Sequence, residues 1–150
     1  MAIEYRLTLA GTTTAEQVTA RALPDPSERP TDGPPLFSAD LYDRYGFFLT
    51  IRAGRNGYYD AEMDNDTWWE WEPAEYVNTT FRMEKTGDPD RALNNALWIV
   101  QNVLTSGSED AAFAVNGNWL LLTRTSGTLV KYHRADWWDF HETANSIIPG

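Results

Sequence analysis

The sequence predicts an α+β domain: a largely antiparallel sheet with two main helices packed on one face. Three observations carry this expectation. Apolar residues alternate with a period of two in several short stretches. Asn-Gly and Ser-Gly pairs, which tolerate the positive φ of tight hairpin turns, sit between such stretches. Two segments far apart in the chain repeat instead at helical spacing, which fits an antiparallel sheet with separated helices.

Taken in order, Ile3, Tyr5, Leu7 and Leu9 alternate with Glu4, Arg6 and Thr8, the pattern of a half-buried strand. Thr13 and Glu16 form a capping box before a helix over residues 15–23, whose Ala15, Val18, Ala22 and Leu23 share one face. Pro24 ends it. The run PDPSERPTDGPP makes an irregular loop at about residues 24–37. It is too short to divide the chain, so residues 1–150 are expected to form a single domain. Gly46 to Arg52 and Tyr58 to Met63 read as a hairpin around Asn56-Gly57. After a break at Pro73, Val77, Thr79, Phe81 and Met83 define the next inward face. Asp88 caps, and Pro89 opens, the strongest helix, with Leu93, Ala96, Leu97, Val100, Val103 and Leu104 on one side and Gly107 at its end. Three more strands follow: AAFAV, WLLLTRT after Asn116-Gly117, and TLVKYHR after Ser126-Gly127. A short C-terminal helix fits DWWDFHETANSI, where Trp137, Phe140, Ala144 and Ile148 recur at helical spacing.

Composition narrows the chemistry. A chain of 150 residues can bury roughly 70% of the surface its unfolded form exposes. The absence of Cys removes disulfides, zinc-thiolate sites and cysteine nucleophiles. There is no basic segment followed by an apolar run at the N-terminus, and no stretch approaching the ~18 apolar residues of a membrane span. With 22 acids against 12 bases and a net charge of −10, the chain is poorly suited to nucleic acid or anionic membranes. A soluble, cytoplasmic protein is expected. No phosphate loop and no nucleophile elbow is present.

The densest feature is the window Asp60–Glu75, DAEMDNDTWWEWEPAE. It carries seven carboxylates (Asp60, Glu62, Asp64, Asp66, Glu70, Glu72 and Glu75), three tryptophans and no Lys or Arg. Strand parity places Asp60 and Glu62 on one face, continued by Asp64 and Asp66 if the strand runs on. Like charges at that spacing need solvent, a cation or a basic partner. A calcium loop fails the EF-hand template, because position six from Asp60 is not Gly and position twelve is Trp71. Nothing singles out a desolvated carboxyl group as a general acid for glycoside hydrolysis. The window is left as either a solvated hairpin end or a partner-binding face. No catalytic residue, metal ligand or cofactor is assigned.

Trp69 and Trp71 share parity while Trp68 points the other way, so one side is expected in the core. Trp98 falls nearly opposite the apolar stripe of its helix, beside Asn94 and Asn102, either covered by the loop at about 24–37 or exposed as an anchor. Trp137 and Trp138, flanked by Asp136 and Asp139, repeat the acid–aromatic theme, and Trp is enriched among interface hot spots. His133 reads as an edge or surface histidine, and His141 as one capping the core.

The blocks EYRLTLAGTTTAEQV, LYDRYGFFLTIRAGRNGYYDAE, WEWEPAEYVNTTFRMEK and NGNWLLLTRTSGTLVKYHRADWW resemble the Sit-type immunity family, small bacterial proteins that accompany polymorphic toxins. The resemblance runs over nearly the whole chain and supplies no catalytic residues. It implies a cytoplasmic, non-enzymatic antitoxin that binds a cognate toxin, a basic one where the toxin attacks nucleic acids. The expected contact residues are Asp60, Glu62, Asp64, Asp66, Trp68, Trp69, Glu70, Trp71 and Glu72, with Trp98 and the group Asp136, Trp137, Trp138 and Asp139. Two rival readings are a small-ligand or carbohydrate-binding module using tryptophan stacking, and a hydrolase with a carboxylate pair. The residues specify no oligomeric state.

Overall fold

The computed structural model describes residues 2–29 and 36–150; the middle of the expected Pro-rich loop lies outside them. Among the described residues nine strands form one sheet: β1 (Ala2–Ala10), β2 (Leu36–Leu41), β3 (Phe47–Arg55), β4 (Tyr59–Glu62), β5 (Trp68–Trp71), β6 (Glu75–Glu84), β7 (Ala111–Val115), β8 (Trp119–Thr125) and β9 (Thr128–Lys131). The helices are α1 (Ala15–Ala22), α2 (Tyr42–Tyr45), α3 (Pro89–Thr105) and α4 (Glu142–Ile147), with 3-10 turns at Pro26–Glu28 and Trp138–Phe140. The spatial order is β2-β3-β6-β1-β7-β8-β4-β5, and β9 also pairs with β8.

This corrects the expected architecture. The sheet dominates the molecule and is mixed, because β4 meets β8 in parallel at Glu62 and Trp119 while the other pairings are antiparallel. Among the described residues four helices accompany it, two of them shorter than eight residues, in place of two main ones. The expected hairpin around Asn56-Gly57 also fails. Both edges of β3 are already occupied, by β2 and β6, so the chain leaves the sheet at Asn56. There the backbone N–H groups of Asn56 and Gly57 donate to the carbonyls of Ala74 and Pro73 at 2.8 and 3.0 Å. Gly54 and Gly57 are needed at this crossing because a Cβ on either would lie within 3.0 Å of the Tyr76 side chain.

The main core lies between one face of the sheet and the helices. Tyr5, Leu7 and Leu9 of β1 join Phe81 of β6 and Phe113 of β7, and α3 adds Leu93, Ala96, Leu97, Val100 and Val103. The α3 cap is the expected one: the Asp88 carboxylate accepts the Arg91 N–H at 3.1 Å. The α1 cap falls one residue later than expected. Thr14 and Gln17 exchange the reciprocal bonds of a capping box, while the Thr13 hydroxyl donates to Glu109 at 2.7 Å. At the C-terminal end of α4, the Lys131 ammonium is buried with no carboxylate partner among the described residues. It donates to the Asn145 side chain at 2.6 Å and to the Ile148 carbonyl, and lies 4.4 Å from the centre of the Trp138 ring. Desolvation holds its pKa below the usual lysine range. No helix among the described residues is long and apolar enough to cross a membrane.

Candidate partner-binding face

The acidic window builds a hairpin, β4–β5, joined to the sheet through β8, with one side packed back on the sheet's second face. Its register pairs Tyr59 with Trp71, Asp60 with Glu70, Ala61 with Trp69, and Glu62 with Trp68. Period-two alternation then sorts the residues. Tyr59, Ala61, Trp69 and Trp71 face the sheet, where Trp69 and Trp71 join a small cluster around Ala61, Ala112 and Leu120. The two indoles are 5.7 Å apart. The Tyr59 hydroxyl accepts from the Asn78 amide at 2.9 Å, and the Arg6 guanidinium lies 4.7 Å from the Tyr59 ring centre.

The outward side carries Asp60, Glu62, Trp68 and Glu70, extended by Tyr58 before the hairpin and Glu72 after it. Trp68 is 62% exposed and Tyr58 55%. Asp60 and Glu70 face each other directly, as like charges. Among the described residues none of Asp60, Glu62, Asp66, Glu70 and Glu72 has a cationic partner within 4 Å. The Tyr58 hydroxyl donates to Glu70 at 3.1 Å, and that bond to a carboxylate raises the pKa of Tyr58. A hollow of about 330 Å³ opens between Tyr58, Glu70, Trp71 and Glu72.

The hairpin end is fixed. Asn65 and Asp66 take φ of +57° and +59°, short polar residues that tolerate this region. The Met63 N–H donates to the Thr67 carbonyl at 2.7 Å. Asp64 accepts the His133 backbone N–H at 2.8 Å, and His133 Nε2 lies 2.8 Å from the Glu62 carbonyl oxygen. The expected surface position of His133 is therefore corrected. Its ring is buried and stacked on Trp119, 4.2 Å between centres, and it clamps the hairpin to the chain beyond β9.

The remaining candidates separate. Trp98 is 55% exposed on the polar side of α3, and Asp136 and Asp139 are exposed. Trp137 and Trp138, expected among the contact residues, are both buried, and the Trp138 indole N–H donates to the Leu121 carbonyl at 3.0 Å. Their hydrophobic area serves the core. Trp98 stands on α3 and Trp68 on β5 of the hairpin. Two exposed aromatics escaped the sequence reading. Tyr58 shares strand parity with Asp60, a signal that was available. Phe140 was placed inside by helical periodicity, but a 3-10 turn with three residues per turn directs it outward.

Among the described residues no group of three or more His, Asp or Glu side chains converges in a way that could hold a metal ion. A family model described as SitI3-like matches residues 3–142. No curated protein and no solved structure matches. The matched span covers almost the whole sequence and agrees with the Sit-type resemblance carried by the sequence blocks: the chain belongs to the SitI3-like family.

Proposed function

We propose that this protein is a non-catalytic, cytoplasmic immunity protein that neutralises a cognate toxin by binding it through the outward side of β4–β5. The observation that carries the reading is the acidic row, without a cationic partner within 4 Å among the described residues, beside exposed Trp68 and Tyr58. Carboxylates without internal cations raise the rate of encounter with a basic surface, and exposed aromatics on a rigid support slow dissociation. The support is the half-buried Trp69 and Trp71 layer beneath them. Family membership agrees with the immunity role.

The two rival readings have less behind them on this face. Trp69 and Trp71 turn inward, which leaves Trp68 as the outward indole of the hairpin and removes a multi-tryptophan stacking platform. Asp60 and Glu70 stand on an exposed strand surface, without the desolvation a general acid requires.

The test is co-expression with the cognate toxin, together with calorimetry of the purified pair. The native chain should protect growth and form a stable complex. Replacing Trp68 with Ala together with Asp60, Glu70 and Glu72 with Lys should abolish both while the variant stays folded. Protection and affinity unchanged in that variant would refute this face.

A further inference from the structure

We propose a second docking face, on the helical side of the molecule, that takes a basic peptide segment bearing an apolar anchor. It is a groove of about 390 Å³ between α3 and the turn that precedes α4. Phe140, at its rim, is 79% exposed. The backbone that presents it is pinned on both sides. Trp137 and Trp138 are buried, the Asp139 N–H donates to the Arg134 carbonyl at 2.8 Å, and the His141 ring stacks on Trp137 at 4.2 Å. An apolar side chain held outward on a fixed turn loses little further conformational freedom when a partner covers it. Asn94 lines the same groove, and Trp98 lies one helical turn further along the same side of α3, extending the apolar surface.

Charge decides the occupant. Asp90, Asp139 and Glu142 line the groove, all exposed, and among the described residues no Lys or Arg lines it. None of the three has a cationic partner within 4 Å among the described residues. The adjacent Arg91 points away, donating to the Arg44 carbonyl at 2.6 Å. The complementary ligand is a segment in which lysines or arginines flank a leucine or an aromatic residue, the apolar group packing on Phe140 and the cations meeting the three carboxylates. This face does not depend on the toxin reading of β4–β5, and a partner seated here leaves Trp68 free.

The probe is a synthetic peptide of leucines flanked by arginines, with a control peptide carrying glutamates in place of the arginines. Binding is followed by amide and indole NMR of the full chain. The arginine peptide should shift Asn94, the Trp98 indole and residues 139–143, and the same shifts should appear in Trp68→Ser. Phe140→Ser and the pair Asp139→Lys, Glu142→Lys should each weaken binding about tenfold or more with unfolding midpoints kept near the native value. Silent groove resonances, equal shifts from the glutamate peptide, or full affinity in folded Phe140→Ser would each overturn the proposal. Loss of toxin binding in hairpin variants alone bears only on the β4–β5 face, so the two readings fail separately.

Discussion

Asp60 and Glu70 stand directly opposite one another on the solvent side of the β4–β5 hairpin, two like charges in a cross-strand pair. Such a pair opposes the hairpin that carries it. A surface that keeps this arrangement gives up stability for an unpaired negative field, the trade expected where binding requires it.

The first prediction follows from that pair. Asp60→Lys places opposite charges across the strands and should stabilise the fold by about 0.2–1 kcal/mol in urea unfolding. The same substitution should slow association with the toxin. A variant that is both more stable and equally fast in binding would show that the repulsion has no role at the interface.

The tryptophans of β5 should divide by parity. Trp68→Ala should change stability by no more than about 0.5 kcal/mol, because its ring is mostly in solvent. Trp69→Ala and Trp71→Ala remove the apolar layer on Ala61, Ala112 and Leu120, and each should cost about 2–3 kcal/mol, somewhat less than a fully buried aromatic. Denaturant midpoints measure all three.

Glu109 predicts an acid-sensitive anchor between α1, the end of α3 and β8. The Arg21 guanidinium beside it lowers its pKa from 4.5 to about 2, with Thr13 donating a further bond. A depressed carboxylate pKa contributes stability that is fully present above 4.5 and is lost as pH falls towards about 2. Allowing for solvent around the group, that contribution is about 1–2 kcal/mol. Glu109→Gln should be less stable at neutral pH, and its stability should fall less steeply with pH across that window.

Gly54 tests the crossing into the hairpin. A Cβ there would lie 2.4 Å from the Tyr76 hydroxyl oxygen, and the Tyr76 ring is held against Tyr59 at 5.5 Å. Gly54→Ala should cost about 1–3 kcal/mol. In Tyr76→Leu the same change should cost much less, a non-additivity that a double-mutant cycle reads directly.

Local patterns were legible in the sequence, and non-local pairings were not. The alternation from Ile3 to Leu9, the Asp88-Pro89 start of α3, and the parity separating Trp68 from Trp69 and Trp71 all reappear in the structure, because each is set by residues close in the chain. The Asn56-Gly57 turn signal is real as a change of direction. Its flanking strands do not pair, because β2 and β6 fill both edges of β3. β2 itself, next to the Pro-rich run, carried no clear alternation. On the candidate face, Tyr58 was readable from its parity with Asp60. Helical spacing grouped Trp137 with the apolar face, but the burial of Trp138 and His133 was not readable, since it depends on where the C-terminal segment docks against the sheet.

The central claim is that the row Asp60, Glu70 and Glu72 steers the toxin onto Trp68. The most direct measurement is the association rate constant with the toxin as a function of ionic strength, for the native chain and for Asp60→Asn, Glu70→Gln, Glu72→Gln combined. The native rate should fall steeply with added salt, and the neutral variant should associate at least about tenfold more slowly at low salt with a much flatter dependence. Equal rates and equal salt slopes for the two proteins would contradict it.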